Sequence, residues 1–136
     1  MTLYLDCEFN GFHGELISLA LASTTGKHWY NARELPKSID PWVKEHVVPF
    51  IFRQPVDDHF FKQSLWEYLR THQDEDIIAD WPEDFGHLMH WLVEPNGIMP
   101  NLELHMNLIR SGELKPDIPH NALSDAIALM QWHISK

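Results

Sequence analysis

Disulfide chemistry is closed to this chain as an internal device, because Cys7 is the one cysteine among 136 residues. A chain without an intrachain bridge, whose opening MTLYLDCEF has no basic leader region, is expected in the cytoplasm. Cys7 itself reads as a small core hydrophobe. Long apolar runs are missing too. Those present are short, as at Ile77–Ala79, whereas crossing a bilayer takes roughly 20 residues, so no membrane partner is expected. Positive charge is scarce: ten Lys and Arg stand against twenty Asp and Glu, for a net charge of −10. Proteins that coat duplexes draw their affinity from Lys and Arg on phosphates, and that class is excluded. Turnover of nucleic acid at a metal site is not, since bound cations neutralise phosphate locally. Repeats, low-complexity segments and linkers are absent as well, so residues 1–136 read as a single domain. Its 44% apolar content is enough for a real core.

What is present begins with alternation. Leu3, Leu5 and Cys7 fall on one side of a strand over residues 2–8, and Tyr4, Asp6 and Glu8 on the other. Gly11 and Gly14 mark a turn, Glu15–Ala22 a second, antiparallel strand, and Lys27–Tyr30 a third, reached through the turn at Thr24–Gly26. Prolines 36, 41, 49 and 55 punctuate the next stretch, with a short helix over Pro41–His46. Asp57 and Asp58 cap a helix to about His72, with Phe61, Leu65, Trp66 and Leu69 inward. A strand at Asp76–Ala79 leads to a helix over Asp80–Glu94, with Phe85, Leu88, Met89 and Leu92 inward. A last strand is expected over 101–106, then a short helix to about Arg110. The final helix covers Asn121–Ile134, with Leu123, Ile127, Met130 and Ile134 as its stripe. The fold class is therefore α/β: a mixed β-sheet with an antiparallel meander, flanked by α-helices.

Three acidic pieces carry the chemistry. Asp6 and Glu8, two apart on a strand, share a face, where unpaired carboxylates repel. A divalent cation relieves that repulsion, and oxygen-only ligands suit Mg²⁺ or Mn²⁺ rather than zinc. Asp125 stands just past the first turn of the final helix, beside a run of Ala, Leu, Ile and Met where a lone carboxylate needs a partner. Asn121 is that helix's N-cap, which puts His120 just outside it. Between these lies Asp80-Trp81-Pro82-Glu83-Asp84. Asp80 with Glu83 has the form of a capping box, Asp84 suits the first turn of the helix, and Trp81 reads as a core residue.

Asp6-Cys7-Glu8, then Asp80 or Asp84, then His120 followed by Asp125, resemble in order and spacing the motifs of the DEDDh branch of the DEDD exonucleases. The chain is also similar to the short RNase T-like exoribonucleases first recognised in mycobacteria. There the likeness extends to Asp6-Cys7-Glu8-Phe9, to Glu15-Leu16-Ile17-Ser18, and to Trp42-Val43-Lys44-Glu45-His46-Val47-Val48-Pro49. In the middle motif Asp80 takes the place of an Asn and Glu83 that of a Phe, leaving Asp84 as the metal-site carboxylate and Asp80 as the second candidate.

The resemblance implies an RNase H-like fold and hydrolysis from nucleic-acid 3′ ends, RNA before DNA, releasing nucleoside 5′-monophosphates. It implies two divalent cations, Mg²⁺ or Mn²⁺, one held by Asp6, Glu8 and Asp125, the other by Asp6 and Asp84, with His120 as general base. Phe9 and Phe12 would pack on the terminal base or ribose, Phe9 reading equally as a core residue, and a homodimer is compatible with the pattern. Trp29, Trp42, Trp66 and Trp132 serve either the core or such an interface. Three other readings stay open: a DNA exonuclease, a catalytically idle RNase H-like binding module, and a zinc site on His87 and His90, three apart on a helix but without a third nitrogen or sulfur ligand in register.

Overall fold

Strict alternation in the first strand sets the architecture. In the computed structural model, which describes residues 2–136, β1 (Thr2–Phe9) lies between β2 (Leu16–Ser23), antiparallel, and β5 (Asp76–Ala79), parallel. β3 (Trp29–Arg33) extends the meander, β4 (Pro55–Val56) adds to its edge, and β6 (His105–Leu108) closes the other side parallel to β5. The result is a six-stranded mixed sheet in the order β4-β3-β2-β1-β5-β6. Four helices flank it: α1 (Pro41–His46), α2 (Asp58–Arg70), α3 (Pro82–His90) and α4 (Ala122–Ile134). Among the described residues no helix is long and apolar enough to cross a membrane.

The two faces of the sheet are packed differently. Leu3, Leu5 and Cys7 of β1, with Leu19 and Leu21 of β2, meet Phe61, Leu65 and Leu69 of α2 and Leu88 of α3. On the opposite face Tyr4, Ala20 and Ala22 meet Ala122, Ala126 and Leu129 of α4. The stripe expected on α4 is therefore corrected. Leu123, Ile127 and Met130 are only partly buried at the rim, and Ile134 is exposed. Alanines on both partners let the helix approach the sheet closely, and close packing rather than side-chain size selects the buried face.

Local details differ elsewhere for similar reasons. β3 begins and ends later than the pattern predicts, and β6 forms at His105–Leu108 instead of 101–106, with no helix following it to Arg110. α3 is short because Pro82 sits in its first turn and the chain leaves the helix at Trp91. Its N-cap is Trp81, without a side-chain cap bond, so Asp80 does not cap it. Met89, expected inward, is exposed, and so is Trp81. Trp29 and Trp66 are core residues, as is Cys7.

After β1 the chain must turn back tightly. The register shifts between Glu8 and Phe9, where Ile17 is the extra residue opposite them, a bulge that ends the strand. A Cβ on Gly14 would stand 1.9 Å from the Asn10 carbonyl oxygen, so this turn tolerates only glycine there.

Candidate metal centre

Five carboxylates converge at the end of β1. Asp6 and Glu8 point to the α4 side of the sheet, Asp125 comes from the first turn of α4, Asp80 follows β5, and Asp84 lies in the first turn of α3. They form two groups of three. In each of Asp6–Glu8–Asp125 and Asp6–Asp80–Asp84, one oxygen per residue lies within 4.8 Å of the others. Asp6 belongs to both. Asp80 and Asp84, alternatives in the sequence, thus stand on the same side of Asp6.

The electrostatics are those of a site short of positive charge. Burial holds Asp6 well above the ordinary carboxylate range, reinforced by Asp84, Glu8 and Asp125 in that order. Burial pushes Asp84 up to about 8, with Asp80 adding to the effect. It pushes Glu8 up to about 9, and the hydrogen bond Glu8 makes to Asp125 favours the protonated form of Glu8. Asp125 is raised by burial and drawn back by that bond and by His120. Oδ2 of Asp6 and Oδ2 of Asp84 are buried with no hydrogen-bond partner in the protein. Buried polar atoms are otherwise nearly always satisfied. Orphaned, oxygen-only donors arranged as two triads fit hard divalent cations such as Mg²⁺ or Mn²⁺. Zinc has no such fit at His87 and His90, which join no group of three converging ligands among the described residues.

His120 sits at the Asp125 end of the cluster. Its backbone is left-handed (φ 66°), which lets the chain turn into α4 at the Asn121 cap. Asn121 is buried and does two jobs. Its Oδ1 accepts from the Ser124 N–H at 3.0 Å, and its Nδ2 donates to the Phe50 and Ile51 carbonyls at 2.8 and 3.2 Å. The second job ties the start of α4 to the segment after α1. Asn10 ties the other end of α1 to β1, with its Nδ2 donating to Ser38 O at 2.8 Å and its Oδ1 accepting from Asp40 N at 2.8 Å. Between these two clamps the His120 ring lies 5.0 Å from that of Trp42, almost perpendicular to it.

The two phenylalanines have different surroundings. Phe9 continues the Leu3-Leu5-Cys7 face, packs against that core, and tilts over His87 at 4.7 Å. Phe12 is exposed in the β1–β2 turn with its ring against His13. A pocket of about 520 Å³ lies between the β1–β2 turn and α3, lined by His13, Glu15, Arg33, Glu83, His87 and Trp91 among others and by none of the five carboxylates. Its arginine is already engaged. Arg33 pairs with Asp58 at 3.0 Å, donates to Leu16 O at 2.7 Å, and lies over the Trp91 ring at 4.6 Å.

Two features carry no sequence signal of their own. Ser111, from the loop after β6, donates to Oδ2 of Asp80 at 2.6 Å and orients that carboxylate. Glu83, read as half of a capping box, instead accepts from the His13 N–H at 3.0 Å and anchors the β1–β2 turn to α3. Scans of the chain against protein-family models and against curated proteins find no match.

Proposed function

We propose that this chain is a metal-dependent 3′→5′ exonuclease of the DEDDh type with an RNase H-like fold, acting on RNA in preference to DNA. One observation carries the proposal: two carboxylate triads share Asp6 and keep buried oxygens of Asp6 and Asp84 without partners. The fold supports it, since an antiparallel meander continued by parallel strands has α4 across the face bearing Asp6 and Glu8. The RNA preference rests on the likeness to the short RNase T-like exoribonucleases.

In this reading Asp6, Glu8 and Asp125 hold one cation, and Asp6, Asp84 and Asp80 the other. Bound Mg²⁺ or Mn²⁺ would supply the positive charge that stabilises the attacking and leaving oxygens of an in-line displacement at phosphorus. The chain's own residues do the rest. His120, beside Asp125, accepts a proton from the attacking water, a task suited to imidazole near neutrality. The new bond joins that water oxygen to phosphorus. The bond from phosphorus to O3′ of the preceding nucleotide breaks, and O3′ takes up a proton from solvent. A nucleoside 5′-monophosphate leaves, and the strand keeps a free 3′-hydroxyl.

His120→Ala tests the assignment with two readouts. Hydrolysis of a single-stranded RNA oligonucleotide should fall by about 10²-fold or more, while calorimetric Mn²⁺ binding stays at the wild-type level. Unchanged hydrolysis would remove His120 from the mechanism. A wild type that binds Mn²⁺ and cleaves nothing would point to an idle binding module.

A further inference from the structure

Ser18 is fully buried, yet its hydroxyl has no hydrogen-bond partner. Buried side-chain polar groups are nearly always paired, and packing does not require a hydroxyl here. On the same face of β2 the chain places alanines, Ala20 and Ala22. The neighbouring Tyr30 hydroxyl does not serve Ser18. It donates to the Ile51 carbonyl at 2.7 Å and accepts from Asn121 Nδ2 at 3.4 Å. Directly across the β1–β2 pair from Ser18 stands Glu8, as Asp6 stands across from Ala20 and Tyr4 from Ala22. Such partners project from the same face of an antiparallel pair, with Cβ atoms about 4.5–5.5 Å apart. An orphaned hydroxyl therefore faces a member of the Asp6–Glu8–Asp125 triad.

We propose that Ser18 is a positioning residue for Glu8, donating to its carboxylate once a divalent cation draws Glu8 away from Asp125. The inference rests on the metal-dependent reading for its cation and deepens it. In the metal-free protein Glu8 is hydrogen-bonded to Asp125, and the Ser18 hydroxyl is left idle. A cation held by both residues replaces that bond, because each turns an oxygen to the metal. A carboxylate has two oxygens with about four lone-pair sites. The Glu8 oxygen left off the cation then needs a donor, since ligating carboxylates are themselves held by hydrogen bonds. Asp125, a second ligand of the same cation, can only accept. Ser18 is the buried donor across the strand pair. The other triad already has such a group, since Ser111 donates to Asp80 Oδ2 at 2.6 Å. Each triad thus has a serine, with Ser111 engaged before the cation arrives and Ser18 only after.

The test is a calorimetric titration of Mn²⁺ into wild type, Ser18→Ala and Ser18→Cys, with metal-free melting temperatures measured on the same samples. Ser18→Ala should weaken Mn²⁺ binding by about tenfold. Its metal-free melting temperature should stay at or above wild type, because an unpaired buried hydroxyl is gone. Ser18→Cys keeps nearly the same volume but offers only a weak S–H donor, so its affinity should fall with that of Ser18→Ala. Unchanged affinity in Ser18→Ala overturns the positioning role. Full affinity in Ser18→Cys does so too, since it would make Ser18 a matter of packing. A metal-free melting temperature that falls in both variants, the mark of a structural hydroxyl, also overturns it, as does a wild type that takes up no Mn²⁺. Hydrolysis of single-stranded RNA assayed on the same preparations separates the two readings. Ser18-dependent affinity without cleavage sinks the exonuclease alone, and cleavage with Ser18-independent affinity sinks the positioning role alone.

Discussion

The two faces of β1 are built for different ends. Toward α2 and α3, Leu3, Leu5 and Cys7 meet large apolar side chains. Toward α4, alanines draw the helix close and bury Asp6 and Glu8 among other carboxylates. The first face is stabilising by itself. The second is a liability in the metal-free protein, because like charges and desolvation oppose ionisation together. The contrast teaches that this fold uses one side of a single strand for cohesion and concentrates its unmet electrostatic demand on the other.

Substitutions on each face should therefore separate activity from stability. Asp6→Asn removes the residue common to both triads. Hydrolysis should fall by about 10³-fold or more, while the metal-free melting temperature rises, since a carboxyl whose ionisation burial and its neighbours oppose in the folded state is gone. A fall in melting temperature with activity retained would break the comparison. Leu5→Ala, at a fully buried position on the opposite face, should cost about 2–5 kcal/mol in denaturant unfolding. Below its melting temperature it should keep near-normal turnover per folded molecule.

The close approach of α4 can be tested by overfilling it. Ala126→Leu puts bulk where Ala126 is fully buried against the sheet, and should cost about 1–3 kcal/mol. It should also weaken Mn²⁺ binding, because Asp125 rides on the same turn. Loss of stability with unchanged cation affinity would uncouple the helix from the site.

Solution pH sharpens the contrast further. Glu8 is raised to about 9 and Asp84 to about 8, so folding favours their protonated forms. Their contribution is present at low pH and is lost as pH rises through those values. In EDTA the melting temperature should decline from about pH 5 to pH 9. Added Mn²⁺ should offset the decline, most strongly at the high end, because it binds the ionised folded state. A metal-free protein whose stability is flat over this range would contradict the assignment of those shifts. The smallest effect is expected at Ser111→Ala. Losing its hydrogen bond to Asp80 should lower cation affinity by about tenfold at most and leave the fold intact.

Much of this was legible in the chain. A period of two is unambiguous, so the faces of β1 follow from Leu3 to Glu8 alone, and the Asn121 cap places His120 outside α4. Asp6, Glu8, Asp84 and Asp125 stand together where the spacing puts them at strand ends and first turns. Other features depend on contacts distant in sequence. Asp80 has the look of a cap, yet its partner is Ser111, thirty-one residues on. The α4 stripe misleads because hydrophobicity favours Leu123 and Ile127, whereas the close fit to β2 selects Ala122 and Ala126. The Trp42–His120 contact joins α1 to α4 through two asparagine clamps that no local pattern encodes.

The central claim is that the shared-Asp6 carboxylate centre cleaves nucleic acid from its 3′ end. Its most direct test is a time course on matched 5′-labelled RNA and DNA oligonucleotides with Mg²⁺, Mn²⁺ or EDTA, using wild type and Asp6→Ala. The account predicts a metal-dependent ladder shortening from the 3′ end, faster on RNA, absent in EDTA and in the variant. Intact oligonucleotides under every metal, or a ladder that survives Asp6→Ala, would contradict it.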